Sequence, residues 1–264
     1  MFEVRSVLFL PASNPRAIAK ARESAADLVV LDLEDAVKPA DKEAAREGAV
    51  EAVASDWRIP VAIRINGVGT EWHSLDLDAV AKSKADFAIL PRAASAHLVR
   101  EVRDAIRKPL LAMIETAAGV LAAPAIAHEA AALIAGTNDL SADLRLPVGA
   151  GRAPLQTSLQ TIVLSARAAG IAAFDGVFNA LTDLNGFEAE AAEGRRLGFD
   201  GKSLIHPDQI EPCNRAFGPN EGEIERARRL IDAFSGGAER FEDQMIERMH
   251  VEAAQRLLAR VGKP

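Results

Sequence analysis

Short runs of apolar residues recur along the chain, each followed by a longer stretch whose apolar positions repeat with helical spacing. The runs are SVLFLPA (6–12), DLVVLDLE (27–34), VAIRINGV (61–68), DFAILPRA (86–93), PLLAMIET (109–116), AALIAGTNDL (131–140), IAAFDGVFN (171–179) and GKSLIHP (201–207). Near-continuous apolar runs of this length fit strands covered on both faces, as in a parallel sheet. NPRAIAKARESA, ADKEAAREGAVEAV, SAHLVREVRDAI and QTSLQTIVLSARAAG read as helices, with another around 183–197. Asn14 is placed to cap the first of these. Pro15 follows at the first helical position, where its missing N–H costs nothing. Eight such units in about 200 residues predict the α/β class and a (β/α)8 TIM barrel. An open doubly wound sheet shares the alternation, but the number and length of the repeats suit the barrel.

The barrel is expected over residues 1–207. Residues 208–264 read as a C-terminal helical extension: EGEIERARRLIDAF as a helix, SGGAERF as a hinge or loop, and EDQMIERMHVEAAQRLLARV as a final helix. Such a tail is expected to cap the barrel or to contact a neighbouring subunit.

Composition narrows the function classes. The chain has 264 residues, 49% hydrophobic and 26% charged, which is ordinary for a globular protein that needs no covalent staples. One cysteine, Cys213, excludes an intramolecular disulfide and a cysteine-based zinc site, and suits a reducing cytoplasm. The N-terminal apolar run is far short of a secretory core, and no segment has the length of a membrane span. The net charge of −7, with no block of Lys or Arg, argues against nucleic acid as a partner. It is no obstacle to a small anionic substrate, which answers to local fields.

Barrel chemistry is built at the C-terminal ends of the strands. Those positions hold Glu34, Asp35, Arg64, Arg92, Glu115, Asp139, Asp175 and His206. Glu115 and Asp139 end consecutive runs with no Cys or His beside them. Hard oxygen ligands of this kind, completed by water, suit Mg2+. Glu115 could equally be a solvated strand end, and Asp139 could cap a helix beginning at Leu140. Arg64, before a glycine turn, could grip a carboxylate or enolate oxygen, or be a structural partner of Glu34 or Asp35. The DLEDAV segment reads as an ion-pair hub that holds Arg64 and Lys residues in a supporting role. His206 reads as a packed or hydrogen-bonded histidine. His73, His97, His128 and His250 read as surface. Trp57, Trp72 and the phenylalanines read as packing, with Phe9 a possible exception near the mouth.

RSVLFLPASNPRAIAKARESAADLVVLDLEDAV, AIRING, AMIETAAGV, GTNDLSADL and LGFDGKSLIHPDQI occur in that order. Together they resemble the signature of the citrate lyase β-subunit-like group of the HpcH/HpaI aldolase superfamily, which includes malyl-CoA and citramalyl-CoA lyases. The resemblance runs from about residue 5 to 234. It implies a (β/α)8 barrel, commonly a homotrimer, with Mg2+-dependent carbon–carbon lyase chemistry on 3-hydroxyacyl thioesters. It implies Glu115 and Asp139 as metal ligands and Arg64 against the substrate carboxylate or carbonyl. Amides around Gly136, Thr137 and Asn138 would hold the keto acid, with Glu34 and Asp35 supporting Arg64.

Some positions depart from the pattern. Relatives with a longer lid are thought to supply an acid from a neighbouring subunit within a MID motif. Here QMIERMH places Glu247 at that aspartate. One extra methylene displaces the carboxyl, and a shift of about an ångström can cost about a hundredfold in rate. Glu247 is thus either a shifted catalytic group or an ordinary helix residue. Arg92 stands where many relatives have Lys. For the phosphates of CoA the helix start after PASNPR, with Arg16, is one candidate; an ordinary capped helix is the alternative, and Lys42 and Arg46 are looser candidates. The expected activity is cleavage of malyl-CoA or citramalyl-CoA to acetyl-CoA and a 2-keto acid. The alternatives are a citryl-carrier lyase β subunit, a thioesterase, or a non-catalytic regulatory barrel.

Overall fold

The structure, a computed structural model, describes residues 4–259. Eight strands, β1 (Ser6–Pro11), β2 (Leu28–Asp32), β3 (Val61–Arg64), β4 (Phe87–Leu90), β5 (Leu110–Ile114), β6 (Ala132–Ala135), β7 (Ala172–Asp175) and β8 (Gly201–Leu204), form a closed barrel. All neighbours are parallel, and β8 returns to β1 through Val7 opposite Ser203, which rules out the open sheet. Between the strands run α1 (Pro15–Ala21), α2 (Lys42–Val53), α3 (His73–Lys82), α4 (Ala96–Ile106), α5 (Ala117–Ala127), α6 (Thr137–Asp143), α7 (Gln156–Ala169) and α8 (Leu184–Leu197).

Local chemistry starts and stops these elements. Asn14, Ser95 and Thr116 cap α1, α4 and α5 by accepting from the amides of Ala17, Leu98 and Gly119, which satisfies donors that have no partner inside the helix. α7 ends at Gly170, whose φ of 71° is the left-handed turn that closes a helix. The barrel interior is packed by Val7, Val30, Ile89, Leu111, Ile134 and Phe174, with Phe9 above them. It is a filled core, so chemistry is confined to the mouth.

Every strand is shorter than its apolar run, because the runs continue into the loops at the C-terminal mouth. Leu33, Ile65 and Ala93 lie just past strand ends and are as buried as the strands themselves. α3 is among the helices, with α5, α6 and the one at Ile210–Phe217, that were not read from the apolar pattern. It carries Asp76 and His73 inward, where both are buried. His73 is therefore not a surface residue: its Nδ1 sits 2.8 Å from the carbonyl of Asn66.

The chain divides into two compact units, Met1–Ala216 and Phe217–Pro264. The first extends past residue 207 to include the short turn after β8 and most of α9 (Ile210–Phe217). In the second, α10 (Glu221–Ala233) begins at an Asn220–Glu223 capping box. An antiparallel hairpin, β9 (Glu239–Phe241) and β10 (Gln244–Ile246), and then α11 (Arg248–Leu258) follow. Ala227, Leu230, Ile246, Val251 and Ala254 form its core. The expected loop and long helix are thus corrected. Glu242 turns the chain at φ 55°, and residues 244–246 pair as a strand instead of starting the helix. Residues 260 and 261 of the expected helix lie outside the described residues. Glu247 is the N-cap of α11, and its amide donates to Nδ1 of His250 at 2.9 Å.

Candidate functional site

A cavity of about 410 Å³ opens at the C-terminal mouth of the barrel. Phe9, Asp32, Arg64, Met113, Glu115 and the segment 135–139 reach it from five strands and the turn after β6. Strand alternation explains the choice. Leu28 and Val30 face the interior, so Asp32 does too, and Leu111 and Met113 put Glu115 on the same side.

One wall is organised by Arg64. Its Nε and Nη2 donate to Oδ1 and Oδ2 of Asp32 at 2.6 and 2.7 Å, a bidentate pair. Its Nη1 lies 2.9 Å from Oε2 of Glu34, and the guanidinium carbon stands 5.4 Å from the centre of the Phe9 ring. Asp32 is itself fixed by the amides of Glu34 and Ala36 at 2.9 and 3.0 Å. Burial alone would lower the Arg64 pKa. The Asp32 charge and hydrogen bonds, and then Glu34, outweigh it, so the net direction is up and the group stays charged. Burial also pushes Glu34 up to about 8 against the pull of Arg64. Asp32, the first residue of the DLEDAV hub but not named there beside Glu34 and Asp35, is thus the main partner of Arg64. Asp35, expected to share that support with Glu34, instead stands exposed at the cavity wall. Period-two alternation through Leu28 and Val30 was the signal that could have found Asp32.

The opposite wall holds two carboxylates. Glu115 is 3% exposed and accepts from the Arg92 amide at 2.6 Å through Oε1. Its pKa is pushed up to about 7, chiefly by burial; the Arg92 hydrogen bond opposes this and the Asp139 charge adds to it. A Cβ on Gly136 would overlap Cβ of Glu115 and come within 2.5 Å of its Oε2, so only glycine fits there. Asp139 does not end a strand, nor does it cap a helix at Leu140. α6 begins at Thr137 with Gly136 as N-cap, and Asp139 lies in its first turn. Its side chain is half-exposed, 3.6 Å from Nη1 of the exposed Arg92. Gly136, Thr137 and Asn138 line the cavity beside it. Asn138 exchanges two side-chain hydrogen bonds with Asn179, which sequence reasoning had not singled out.

This donor set fits a magnesium ion. Two hard carboxylates face one cavity, and the buried one is held partly protonated by burial and by its neighbour's charge, so a divalent cation would satisfy both. Among the described residues no group of three or more His, Cys, Asp or Glu could hold a metal. An ion here would keep several waters, as Mg2+ does.

Other candidates fall elsewhere. Arg16 is exposed in the first turn of α1 and outside the cavity lining. Lys42 and Arg46, considered for phosphate, are spent on internal partners. Asp175 is buried between Arg152 and Lys202. His206 accepts from the Asp208 amide in a turn. Glu247 is exposed in the second unit.

Residues 5–207 match the family model described as HpcH/HpaI aldolase/citrate lyase. Over 97% of its length the chain is 42% identical to the (3S)-malyl-CoA thioesterase of Cereibacter sphaeroides, covering 94% of that protein. It is 35% identical to citrate lyase subunit beta of Leuconostoc mesenteroides, over 96% of this chain and 92% of the relative. The crystal structure of CitE from Mycobacterium tuberculosis in complex with magnesium, acetoacetate and coenzyme A superposes with a TM-score of 0.88 at 34% identity, over 98% of each chain. Among the described residues no helix is long and apolar enough to cross a membrane.

Proposed function

The chain belongs to the HpcH/HpaI aldolase/citrate lyase family, and from that premise we propose that it is a magnesium-dependent lyase. Its substrate is malyl-CoA, citramalyl-CoA or a close 3-hydroxyacyl-CoA, split into acetyl-CoA and a 2-keto acid. The observation that carries this reading is the meeting of Arg64 with Glu115 and Asp139 around one cavity. Magnesium held by Glu115 and Asp139 would supply Lewis-acid polarisation of the substrate oxygen. Arg64, aimed by Asp32 and Glu34, binds the acyl carboxylate and screens negative charge as it develops. The amides around Gly136, Thr137 and Asn138 orient the keto-acid end. In cleavage a base, solvent water at the open mouth, takes the proton of the 3-hydroxyl, the C2–C3 bond breaks, and the electron pair passes into the thioester enolate. C2 then takes a proton. We assign that proton to Glu247, delivered from the second unit of a neighbouring chain in a cytoplasmic homotrimer. CoA phosphates find a basic group in Arg16 at the start of α1.

A second reading is hydrolysis, favoured by the 42% identity to a (3S)-malyl-CoA thioesterase. Water would add to the thioester carbonyl and the CoA thiol would leave, on the same residues. Mass spectrometry of products from each CoA ester with Mg2+, and with EDTA as control, separates the two. Acetyl-CoA with a keto acid supports the lyase. Free CoA with malate supports hydrolysis. Intact thioester in every tube removes both and leaves a citryl-carrier subunit or a non-catalytic barrel.

A further inference from the structure

The helices behind the Arg64 wall hold an unusual set of inward-facing polar side chains. Lys42, at the start of α2, is 6% exposed. Its Nζ donates to the carbonyl oxygens of Leu33 and Glu34, both at 2.7 Å, and to Oδ1 of Asn66 at 2.6 Å. Those three bonds use every proton of the ammonium group. The Trp72 ring covers it at 5.0 Å. Asn66 in turn donates its backbone and side-chain N–H to Oδ2 of Asp76 at 2.8 and 2.6 Å. Arg46 closes the network on Oδ1 of Asp76 at 2.7 Å.

The two segments gripped in this way are those that carry the Arg64 wall. Glu34 follows β2, and Asn66 lies two residues beyond Arg64. Three basic groups, Lys42, Arg46 and Arg64, face the acidic side chains of Asp32, Glu34 and Asp76 across this region. A point-like ammonium satisfies three converging oxygens, which a planar guanidinium does not. An apolar side chain at position 42 would take the ammonium donor from the buried Leu33 carbonyl and the Asn66 amide oxygen and leave the Glu34 carbonyl with the Val37 amide alone, a cost that displaces the backbone bearing Glu34.

We propose that Lys42 is a positioning residue: by tying the 33–34 segment to Asn66 it holds Asp32 and Glu34 where they aim the Arg64 guanidinium into the cavity. This rests on the reading that Arg64 contacts the substrate. The test is Lys42→Met, made alone and in an Arg64→Lys background, assayed with malyl-CoA at saturating Mg2+. Alone it is expected to lower kcat/KM by about a hundredfold, the scale of an ångström's misplacement. In the Arg64→Lys background the further loss is expected to stay within about twofold, since the group being aimed is gone. Equal losses in both backgrounds, or none in either, would overturn the proposal. A second readout needs no turnover. The Arg64 Nε–H resonance, assigned by its loss in Arg64→Lys, shifts or broadens in Lys42→Met. An unmoved resonance would also overturn the role of Lys42, even if wild-type protein leaves malyl-CoA intact and the lyase reading alone has failed. Asn66→Ser removes one of the three acceptors and permits the same comparison if Lys42→Met does not fold.

Discussion

The two walls of the cavity solve opposite electrostatic problems. On the Arg64 wall the buried cations have their partners within the fold: the guanidinium pairs bidentately with Asp32 and meets Glu34, whose pKa burial pushes up to about 8, and Lys42 donates to the carbonyls behind them. On the Glu115 wall two carboxylates share one cavity; Arg92, 3.6 Å from Asp139, is exposed, and Arg64, already paired with Asp32, acts on Glu115 only through its charge. Buried charge is costly unless paired. The first wall is therefore complete as folded, while the second gains by acquiring a cation. A self-sufficient wall that orients and an incomplete wall that recruits are what a metal-assisted reaction on an anionic substrate requires.

That contrast can be broken from either side. The largest effect is expected from Asp139→Asn, which removes one proposed metal ligand. Lewis-acid stabilisation worth several kcal/mol corresponds to about a thousandfold or more in kcat/KM, read by steady-state assay. Next is Arg64→Met. It leaves Asp32 and Glu34 buried without their cation, and urea titration is expected to show a loss of about 3–5 kcal/mol. Glu115→Gln provides the counterpart: in EDTA it relieves repulsion with Asp139, so its urea midpoint should be unchanged or raised. If Glu115→Gln destabilised the metal-free protein as much as Arg64→Met, the two walls would not differ as described.

Smaller changes sharpen the same contrast. Gly136→Ala would push Glu115 aside, and magnesium affinity is expected to fall about tenfold to a hundredfold, as for other residues that orient metal ligands. pH acts through Glu34 and Glu115, whose folded-state values of about 8 and about 7 lie above the ordinary 4.5. The folded chain thus holds their protons more tightly than the unfolded chain. This stability is fully present below pH 4.5 and is lost as pH rises through 7 and 8. In EDTA the melting temperature should fall by a few degrees across that window in calorimetry; saturating Mg2+ should flatten the part due to Glu115. The smallest effect is expected from Arg92→Lys, within about threefold in kcat/KM, because its ion pair is exposed.

The barrel was legible because eight apolar runs alternate with helical stretches. Its strand ends were not, because Leu33, Ile65 and Ala93 extend the apolar pattern into buried loops. Glu115 stood out as a carboxylate closing a run of five apolar residues. Asp32 lay within the DLEDAV hub but was not singled out, since a charged residue in mid-run looks like an interruption until alternation assigns it to the interior. Lys42 was considered for the CoA phosphates, because nothing in its neighbours' polarity shows three oxygens converging from 33, 34 and 66. The second unit was misread for a different reason. Met245, Ile246 and Met249 are spaced as on a helix, while the turn at Glu242 depends on a positive φ that a glutamate rarely adopts.

The most direct measurement is calorimetric titration of Mg2+ into the metal-free protein, the Asp139→Asn variant and the Arg64→Lys variant. One binding site per chain in the wild type, lost in Asp139→Asn and kept in Arg64→Lys, is the predicted result. Binding that survives Asp139→Asn, or that disappears with Arg64→Lys alone, would contradict the assignment of one wall to recruit the ion and the other to orient the substrate.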